Sequence, residues 1–206
     1  MRINYVLIDY ENVQPEALSR LDAEHFKVMM FVGASQVKVT FETASALQKM
    51  GSNAEYIKIS GNGPNALDFH IAFYIGQIAS LDPTAYFHIV SKDAGFDPLI
   101  QHLKARKIFA ARSRDIAEIS LVKATSAKTT PDKVTVAVAN LIQRGASRPR
   151  TVKTLLSTIS AIFLKQVSEE ELNSLLQELQ SSGYVTVSGT KVLYSLPASP
   201  QKSPES

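Results

Sequence analysis

Short apolar runs alternate with segments of helical period along the first 113 residues of the chain. This alternation is typical of a parallel sheet whose strands are joined by helices. Five runs have the length and composition of strands: NYVLIDY, FKVMMFVG, AEYIKIS, AYFHIVS and IFAARS. Because crossovers between parallel strands are right-handed, all five are predicted to share one sheet.

Four segments between these runs carry the polar and apolar spacing of helices. They are QPEALSRLD, VKVTFETASALQKMG, ALDFHIAFYIGQIASL and FDPLIQHLKARK. Pro15 suits the first turn of the first helix, and Gly51 is placed to end the second. The predicted fold of this part is α/β, a five-stranded parallel sheet with helices on both faces.

The remaining chain predicts a second, smaller unit of α+β class. TSAKTTPD is polar and ends in Pro-Asp, which indicates a linker at residues 123–131 between a domain of residues 1–122 and one of residues 132–196. Three amphipathic helices and a hairpin follow, which together describe a winged helix. Ser168 and Glu171 have the spacing of a capping box at the third helix. The Pro/Ser-rich tail, residues 197–206, is predicted to be disordered.

Composition indicates an ordinary globular protein with 45% hydrophobic and 20% charged residues. The sequence contains no cysteine, so it has neither a disulfide framework nor a thiolate zinc site. No window approaches the roughly 18 apolar residues of a membrane span, and the first residues lead into a strand without a signal peptide. We therefore expect a cytoplasmic protein that does not act in a membrane.

The net charge of +3 lies in the second part of the chain. Residues 1–132 hold 14 Lys and Arg against 14 Asp and Glu, whereas residues 133–206 hold 8 against 5. Two basic clusters contain no acid, and each taken alone is typical of a solvated face. Together they favour a polyanionic partner. Their members are Lys104, Arg106, Lys107, Arg112 and Arg114, and then Arg144, Arg148, Arg150 and Lys153.

Four acids fall where predicted strands give way to helices. Asp9 ends the first strand, Asp68 lies in the first turn of the helix after the third, and Asp93 and Asp97 follow the fourth. Ligand sites in open α/β sheets gather outside the carboxyl ends of the strands. Each acid alone has a structural explanation as a helix cap or turn residue. Their shared position predicts a site for Mg²⁺ or Mn²⁺.

The chemistry favoured by such a site is metal-assisted hydrolysis of a phosphodiester bond. Glu11 and Asn12 lie just beyond the first strand, where they could bind the ion or hydrogen-bond the inner carboxylates. A phosphatase with Asp9 as nucleophile is a weaker alternative, because DYEN lacks a second Asp two residues on.

Three segments resemble the PIN-like nucleases, especially their NYN branch: VLIDYENV, NALDFHIAFYIGQ and FHIVSKDAGFDPLIQHLKARKI. The resemblance covers about residues 1 to 120. It implies a metal-dependent ribonuclease with an acidic centre of Asp9, Asp68 and Asp93. Asn12 lies beside that centre, and Ser91 belongs to the Ser-x-Asp segment of the pattern. RPRTVKTLLSTI and LLQELQSSGYVTV resemble the OST-HTH/LOTUS type of winged helix.

Two departures from the NYN pattern keep an alternative open. The chain has GPNALD where the family often has a Lys before the helix-borne Asp, and Gly95 stands where the family has a second acid. Asp97, one helical turn after Asp93, is the candidate for that second acid. The main hypothesis is an RNA-hydrolysing enzyme whose second domain assists RNA binding. The alternative is an inactive module of PIN-like fold that binds RNA, a protein partner or a second copy of itself.

Overall fold

The computed structural model describes residues 2–15, 17–21 and 24–197. The tail predicted to be disordered lies outside the described residues from position 198 onwards. Within the chain, contacts define two compact units, residues 1–119 and residues 120–206. No helix in the described part of the chain is long and apolar enough to cross a membrane.

The first unit is built on a single five-stranded sheet in which every neighbouring pair is parallel. The strand order is β3-β2-β1-β4-β5. This arrangement confirms the predicted fold class. The strands are β1 (Asn4–Asp9), β2 (Phe26–Val32), β3 (Ala54–Lys58), β4 (Tyr86–Val90) and β5 (Phe109–Ser113).

Three helices connect these strands, and the sequence predicted each of them. They are α1 (Phe41–Lys49), α2 (Ala66–Leu81) and α3 (Phe96–Ala105). The short helix predicted between β1 and β2 is a single 3-10 turn, Leu18–Arg20. The chain runs outwards from β1 to β3 and then crosses through α2 to β4 on the other side of β1. The strand order therefore reverses beside β1, where sheets of this class bind ligands.

Apolar side chains of α2 and α3 pack against one face of the sheet. Leu67, Ile71 and Ile75 of α2 are buried there, three or four residues apart. The sheet contributes Leu7, Met29, Phe31, Ile57, Phe87, Ile89 and Ala110 to this core. Val6 and Ile8, which alternate with Leu7 along β1, are also fully buried. Both faces of the sheet are thus covered, as expected for parallel strands.

The second unit contains four helices and an antiparallel hairpin around its own core. Its elements are α4 (Ser120–Ser126), α5 (Thr130–Arg144), α6 (Val152–Ile162), α7 (Glu169–Ser181), β6 (Val185–Ser188) and β7 (Lys191–Tyr194). Three of these helices and the hairpin match the sequence pattern. The segment 123–131, predicted as a linker, is helical at both ends, because α4 ends at Ser126 and α5 begins at Thr130.

Polar side chains cap the helices of the second unit. Ser168 Oγ accepts a hydrogen bond from the Glu171 N–H at 3.2 Å, while the Glu171 carboxylate pairs with Lys133. Complete capping boxes occur instead at Thr129 with Asp132 and at Thr151 with Thr154. These caps fix the starts of α5 and α6, since they satisfy backbone N–H groups that lack partners within the helix.

Replacing Ile71 by Ala should destabilise the first unit by about 2–5 kcal/mol, because the side chain is fully buried and its loss leaves a cavity. The matched control is Phe69→Ala on the same helix, at an exposed position, with an expected effect within about 0.5 kcal/mol. Urea unfolding followed by circular dichroism measures both. Equal losses for the two variants would contradict the assigned inner and outer faces of α2.

Candidate acidic site

The Asp9 carboxylate has no exposure to solvent at the end of β1. Asn12 Nδ2 donates to its Oδ2 at 2.6 Å, and the Asn12 backbone N–H donates to its Oδ1 at 3.2 Å. Ser91 Oγ donates to Oδ2 at 2.8 Å. A buried carboxylate needs such hydrogen bonds to offset its lost hydration. All of these donors are neutral, so they hold the carboxylate without cancelling its charge.

Ser91 links the ends of two neighbouring strands. Ile8 of β1 pairs with Val90 of β4, which places Asp9 and Ser91 side by side at the next position. Ser91 is fully buried, and its Oγ also accepts the Asp93 N–H at 3.1 Å. Asp93 Oδ1 in turn accepts the Gly95 N–H at 2.7 Å. A continuous hydrogen-bonded chain therefore holds Asp93 near Asp9.

Asp68 lies half-buried in the first turn of α2. The pKa of its carboxyl is raised from 3.8 to about 6, chiefly by burial and then by the negative charges of Asp9, Asp93 and Glu11, in that order. These four acids thus share one electrostatic neighbourhood, in which ionisation of Asp68 is opposed by like charges. A cation entering this neighbourhood would reverse that effect.

Glu11 extends across the end of β2. A Cβ atom at Gly33, the residue after β2, would overlap Glu11 Oε1. The absence of a side chain at position 33 therefore lets the Glu11 side chain lie against the backbone there. Glu11 and Asn12 are both near Asp9, as the sequence indicated. Asn12 is hydrogen-bonded to Asp9, whereas the negative charge of Glu11 helps to raise the pKa of Asp68.

In the described part of the chain, the carboxylates are not gathered tightly enough for three of them to bind one ion directly. Among the residues that the structure describes, no three His, Asp or Glu side chains form a group that could hold a metal. This differs from the predicted ligand set of Asp9, Asp68, Asp93 and Asp97. Mg²⁺ commonly keeps several waters and binds only one or two carboxylates together with substrate phosphates. The hard oxygen donors at this sheet edge fit an ion held in that way.

Asp97 belongs to a separate ion pair. Arg112 of β5 donates through Nε to Asp97 Oδ1 at 2.8 Å and through its terminal nitrogen to Oδ2 at 3.2 Å. Arg112 also donates to the Ser91 backbone carbonyl at 3.3 Å, and only 11% of its side chain is exposed. The sequence predicted Asp97 as a metal ligand and Arg112 as an RNA contact. In the structure these two side chains form an ion pair with each other.

The first basic cluster is divided between the two ends of the strands. Helix α3 begins at that edge and runs towards the opposite one, where Lys104, Arg106 and Lys107 precede β5. Arg114, immediately after β5, is the exposed member of the cluster at the acidic edge. The five bases are close in sequence, but the length of α3 and β5 separates them in space.

The second basic cluster surrounds the start of α6. Arg148 Nε donates to the Leu141 carbonyl at 2.8 Å, and its guanidinium lies 5.8 Å from the centre of the Tyr194 ring. Arg144 Nε donates to Asn140 Oδ1 at 2.8 Å. Arg148 therefore stabilises the unit itself. Arg150 and Lys153 are exposed at the beginning of α6.

Three exposed lysines at the acidic edge are not among the residues predicted from the sequence. Lys38 follows β2, Lys58 ends β3 and Lys92 follows β4. Each stands alone in the sequence, so a search for clustered charge does not find it. The available signal was the one that identified the acids, namely position at the carboxyl end of a predicted strand. With Arg114, these lysines place positive charge around the acidic centre.

A family model for the PIN domain matches residues 3–113, which is more than half of the chain. The chain therefore belongs to the PIN domain family. Such domains are commonly nucleases that bind nucleic acid and use divalent metals. Neither the curated proteins nor the solved structures gave a match to this chain.

The raised pKa of Asp68 predicts a pH-dependent effect of Asp68→Asn. In the folded state the carboxyl keeps its proton up to about pH 6, so its contribution to stability is complete below 3.8 and is lost as the pH rises through about 6. The variant, measured in EDTA, should therefore melt at a higher temperature than the parent at pH 7.5. The difference should vanish near pH 4.

Asp82 at the other end of α2 provides the control for this pH experiment. Hydrogen bonds from the Thr84 hydroxyl and N–H lower the pKa of its carboxyl, which is the opposite direction. Asp82→Asn should therefore not raise the melting temperature at pH 7.5. A lower melting temperature for Asp68→Asn at this pH would show that Asp68 is not opposed by neighbouring charge.

Proposed function

We propose that this protein is a Mg²⁺- or Mn²⁺-dependent ribonuclease that hydrolyses RNA phosphodiester bonds at the carboxyl edge of its PIN domain. The observation that carries the proposal is the buried Asp9 carboxylate, held by neutral donors alone and hydrogen-bonded through Ser91 towards Asp93. Burying an uncancelled negative charge at the ligand edge of the sheet favours a cationic ligand over a purely structural purpose.

The residues of the chain divide into two groups in this proposal. Asp9, Asp68 and Asp93 would hold the ion, one or two of them directly and the rest through bound water, with Glu11 adding negative charge. Asn12 and Ser91 fix the orientation of the Asp9 carboxylate, and burial keeps bulk water from competing for it. A bound divalent ion would polarise the phosphate and lower the pKa of a water. Lys58, Lys92 and Arg114, which are exposed at or just after the ends of their strands, would contact the phosphates that flank the scissile one.

An inactive binding module is the second candidate function. Two observations favour it: Gly95 has no side chain where the NYN pattern has an acid, and the described residues contain no group of three metal-binding side chains. The exposed cations around the site would serve a binder equally well. Catalysis, and not affinity, therefore distinguishes the two candidates.

For the second unit we propose a winged-helix module of the OST-HTH type, so that the whole chain belongs to the NYN branch. Support comes from the helices α5, α6 and α7, the β6–β7 hairpin and the bridge between Thr151 and Lys191 at its edge. Residues 133–168 contain six Lys and Arg and no acid. This module would bind RNA phosphates through Arg150 and Lys153.

Chelation and replacement of Asp93 test the enzymatic proposal. EDTA should abolish cleavage of a labelled RNA and added Mn²⁺ should restore it, because the ion is needed for the chemistry. Asp93→Asn should lose at least about 100-fold in turnover while keeping its circular dichroism spectrum, since the change is nearly isosteric. The matched control is Asp82→Asn, which alters an exposed acid at the far end of α2.

Two results would remove the ribonuclease proposal. RNA cleavage that survives chelation would indicate a different chemistry or a contaminant. RNA binding without any metal-dependent cleavage, in the parent protein as in Asp93→Asn, would assign the chain to the inactive binders.

The double variant Arg150→Ala with Lys153→Ala tests the second unit. If both side chains contact phosphates of single-stranded RNA, the slope of log affinity against log salt should fall in magnitude by about 1.4. Affinity at low salt should fall for all RNA sequences alike. Binding isotherms at several salt concentrations measure both effects.

Lys123→Ala with Lys128→Ala is the charge-matched control, since both lysines are exposed and precede α5. This control should keep the parent slope. Parent-like slopes for both double variants would indicate that α6 does not contact RNA, and a protein-docking role would then replace the RNA role.

A further inference from the structure

Two phenylalanine rings project from the outer face of α2. Phe69 and Phe73 are 70% and 63% exposed, whereas Leu67, Ile71 and Ile75 of the same helix are buried in the sheet core. A separation of four residues puts both rings on one side of the helix, one turn apart. The core does not use these rings, so their exposure calls for an explanation outside the fold of the unit.

The two rings lie in the N-terminal half of α2, which begins at the acidic edge of the sheet. Phe69 follows Asp68 directly, and Phe73 lies one turn further from the acidic edge. Phe73 contacts the neighbouring Tyr74 ring edge-on, with ring centres 5.7 Å apart, and Tyr74 contacts Phe31 of the core at 5.3 Å in the same manner. This series of aromatic contacts connects Phe73 to the rigid core while leaving most of its surface in solvent.

We infer that Phe69 and Phe73 form a stacking platform for the bases of a single-stranded RNA whose adjacent phosphate lies at the acidic site. The inference rests on the proposed function and adds to it the form in which the substrate is bound. Bases stack on aromatic side chains whatever their sequence, because every base has a π face. Paired bases inside a duplex do not offer that face, so the platform would select unpaired RNA.

The outer face of α2 suits bases better than a second copy of the chain. Two rings exposed by about two thirds offer roughly 300 Å² of apolar surface, whereas a stable protein interface needs roughly 800 Å² on each partner. The face continues with Gly76, Gln77 and Ser80, which are small or polar, and Leu81 lies at the far end. Exposed Lys58 and Lys92 at the same edge of the sheet supply contacts for the phosphates.

The test uses the full chain carrying Asp93→Asn, so that the RNA probe is not cleaved. Phe69→Ala with Phe73→Ala in this background should weaken binding of a fluorescein-labelled, uridine-rich single strand by about 5- to 150-fold for each lost stacked base. Phe69→Tyr with Phe73→Tyr keeps the π faces and should restore binding. Leu81→Ala, an exposed apolar residue on the same helix, is the matched control and should bind like the parent.

An oligonucleotide of the same length with abasic sites completes the design. It should bind the parent and the double Ala variant equally, because it has no base to stack. Equal affinity of these two proteins for the uridine-rich strand would overturn the inference, and so would an equal loss on the abasic strand. Sedimentation is measured in parallel: a parent dimer that the Ala changes dissociate would assign the face to a second copy and overturn it as well.

Failure of the proposed function has a different outcome. It would appear as absent metal-dependent cleavage by the protein without Asp93→Asn, whatever the stacking data. Equal affinity of the parent and the double Ala variant for the uridine-rich strand, with metal-dependent cleavage intact, would remove the stacking platform alone.

Discussion

The site depends on one buried interaction, the hydrogen bond from Ser91 Oγ to Asp9 Oδ2 at 2.8 Å. A carboxylate without solvent exposure is costly unless its oxygens are hydrogen-bonded. Asn12 reaches Asp9 locally, from three residues along the chain, but Ser91 comes from the neighbouring strand. The pairing of β1 with β4, which the topology places beside the strand-order reversal, therefore makes this buried charge tolerable and also orients Asp93.

The carboxylates at the acidic edge differ in whether a positive charge neutralises them. Asp97 is neutralised by a two-pronged ion pair with Arg112, whereas the groups around Asp9 are hydrogen-bonded by neutral donors or oppose one another. Arg112 also donates to the Ser91 carbonyl, so its guanidinium lies close to Asp9. It nevertheless forms its ion pair with Asp97. The negative charge that no ion pair neutralises is thus confined to the carboxylates around Asp9.

The sequence predicted the regular elements of both units well because their hydrophobic periods are clear and strands of α/β sheets are parallel. It also predicted that Asp9 and Asp93 lie at the same edge of the sheet, because each stands at or just after the carboxyl end of a parallel strand. It could not predict side-chain partners. Asp97 and Arg112 lie 15 residues apart on different elements, and Arg148 is held by Leu141 and Tyr194 through contacts that no local spacing encodes. Clustering in the sequence likewise pointed to Lys104 and Lys107, which α3 carries to the edge opposite the acids, and not to the isolated Lys58 and Lys92.

Under the proposed function, the charge arrangement would separate the binding of a polyanion from its hydrolysis. The exposed cations at the rim of the site, Lys58, Lys92 and Arg114, would attract phosphates, while the acids at the centre would repel them until a divalent ion reduced the central charge. The proposed rim contacts and base stacking on α2 would not require that ion. A nuclease and an inactive relative could therefore share the exposed cations around the site. They would differ only at the acidic centre, where Gly95 and the spacing of the carboxylates would determine whether a metal ion binds. Affinity for RNA reports on the rim, and only metal-dependent turnover reports on the centre.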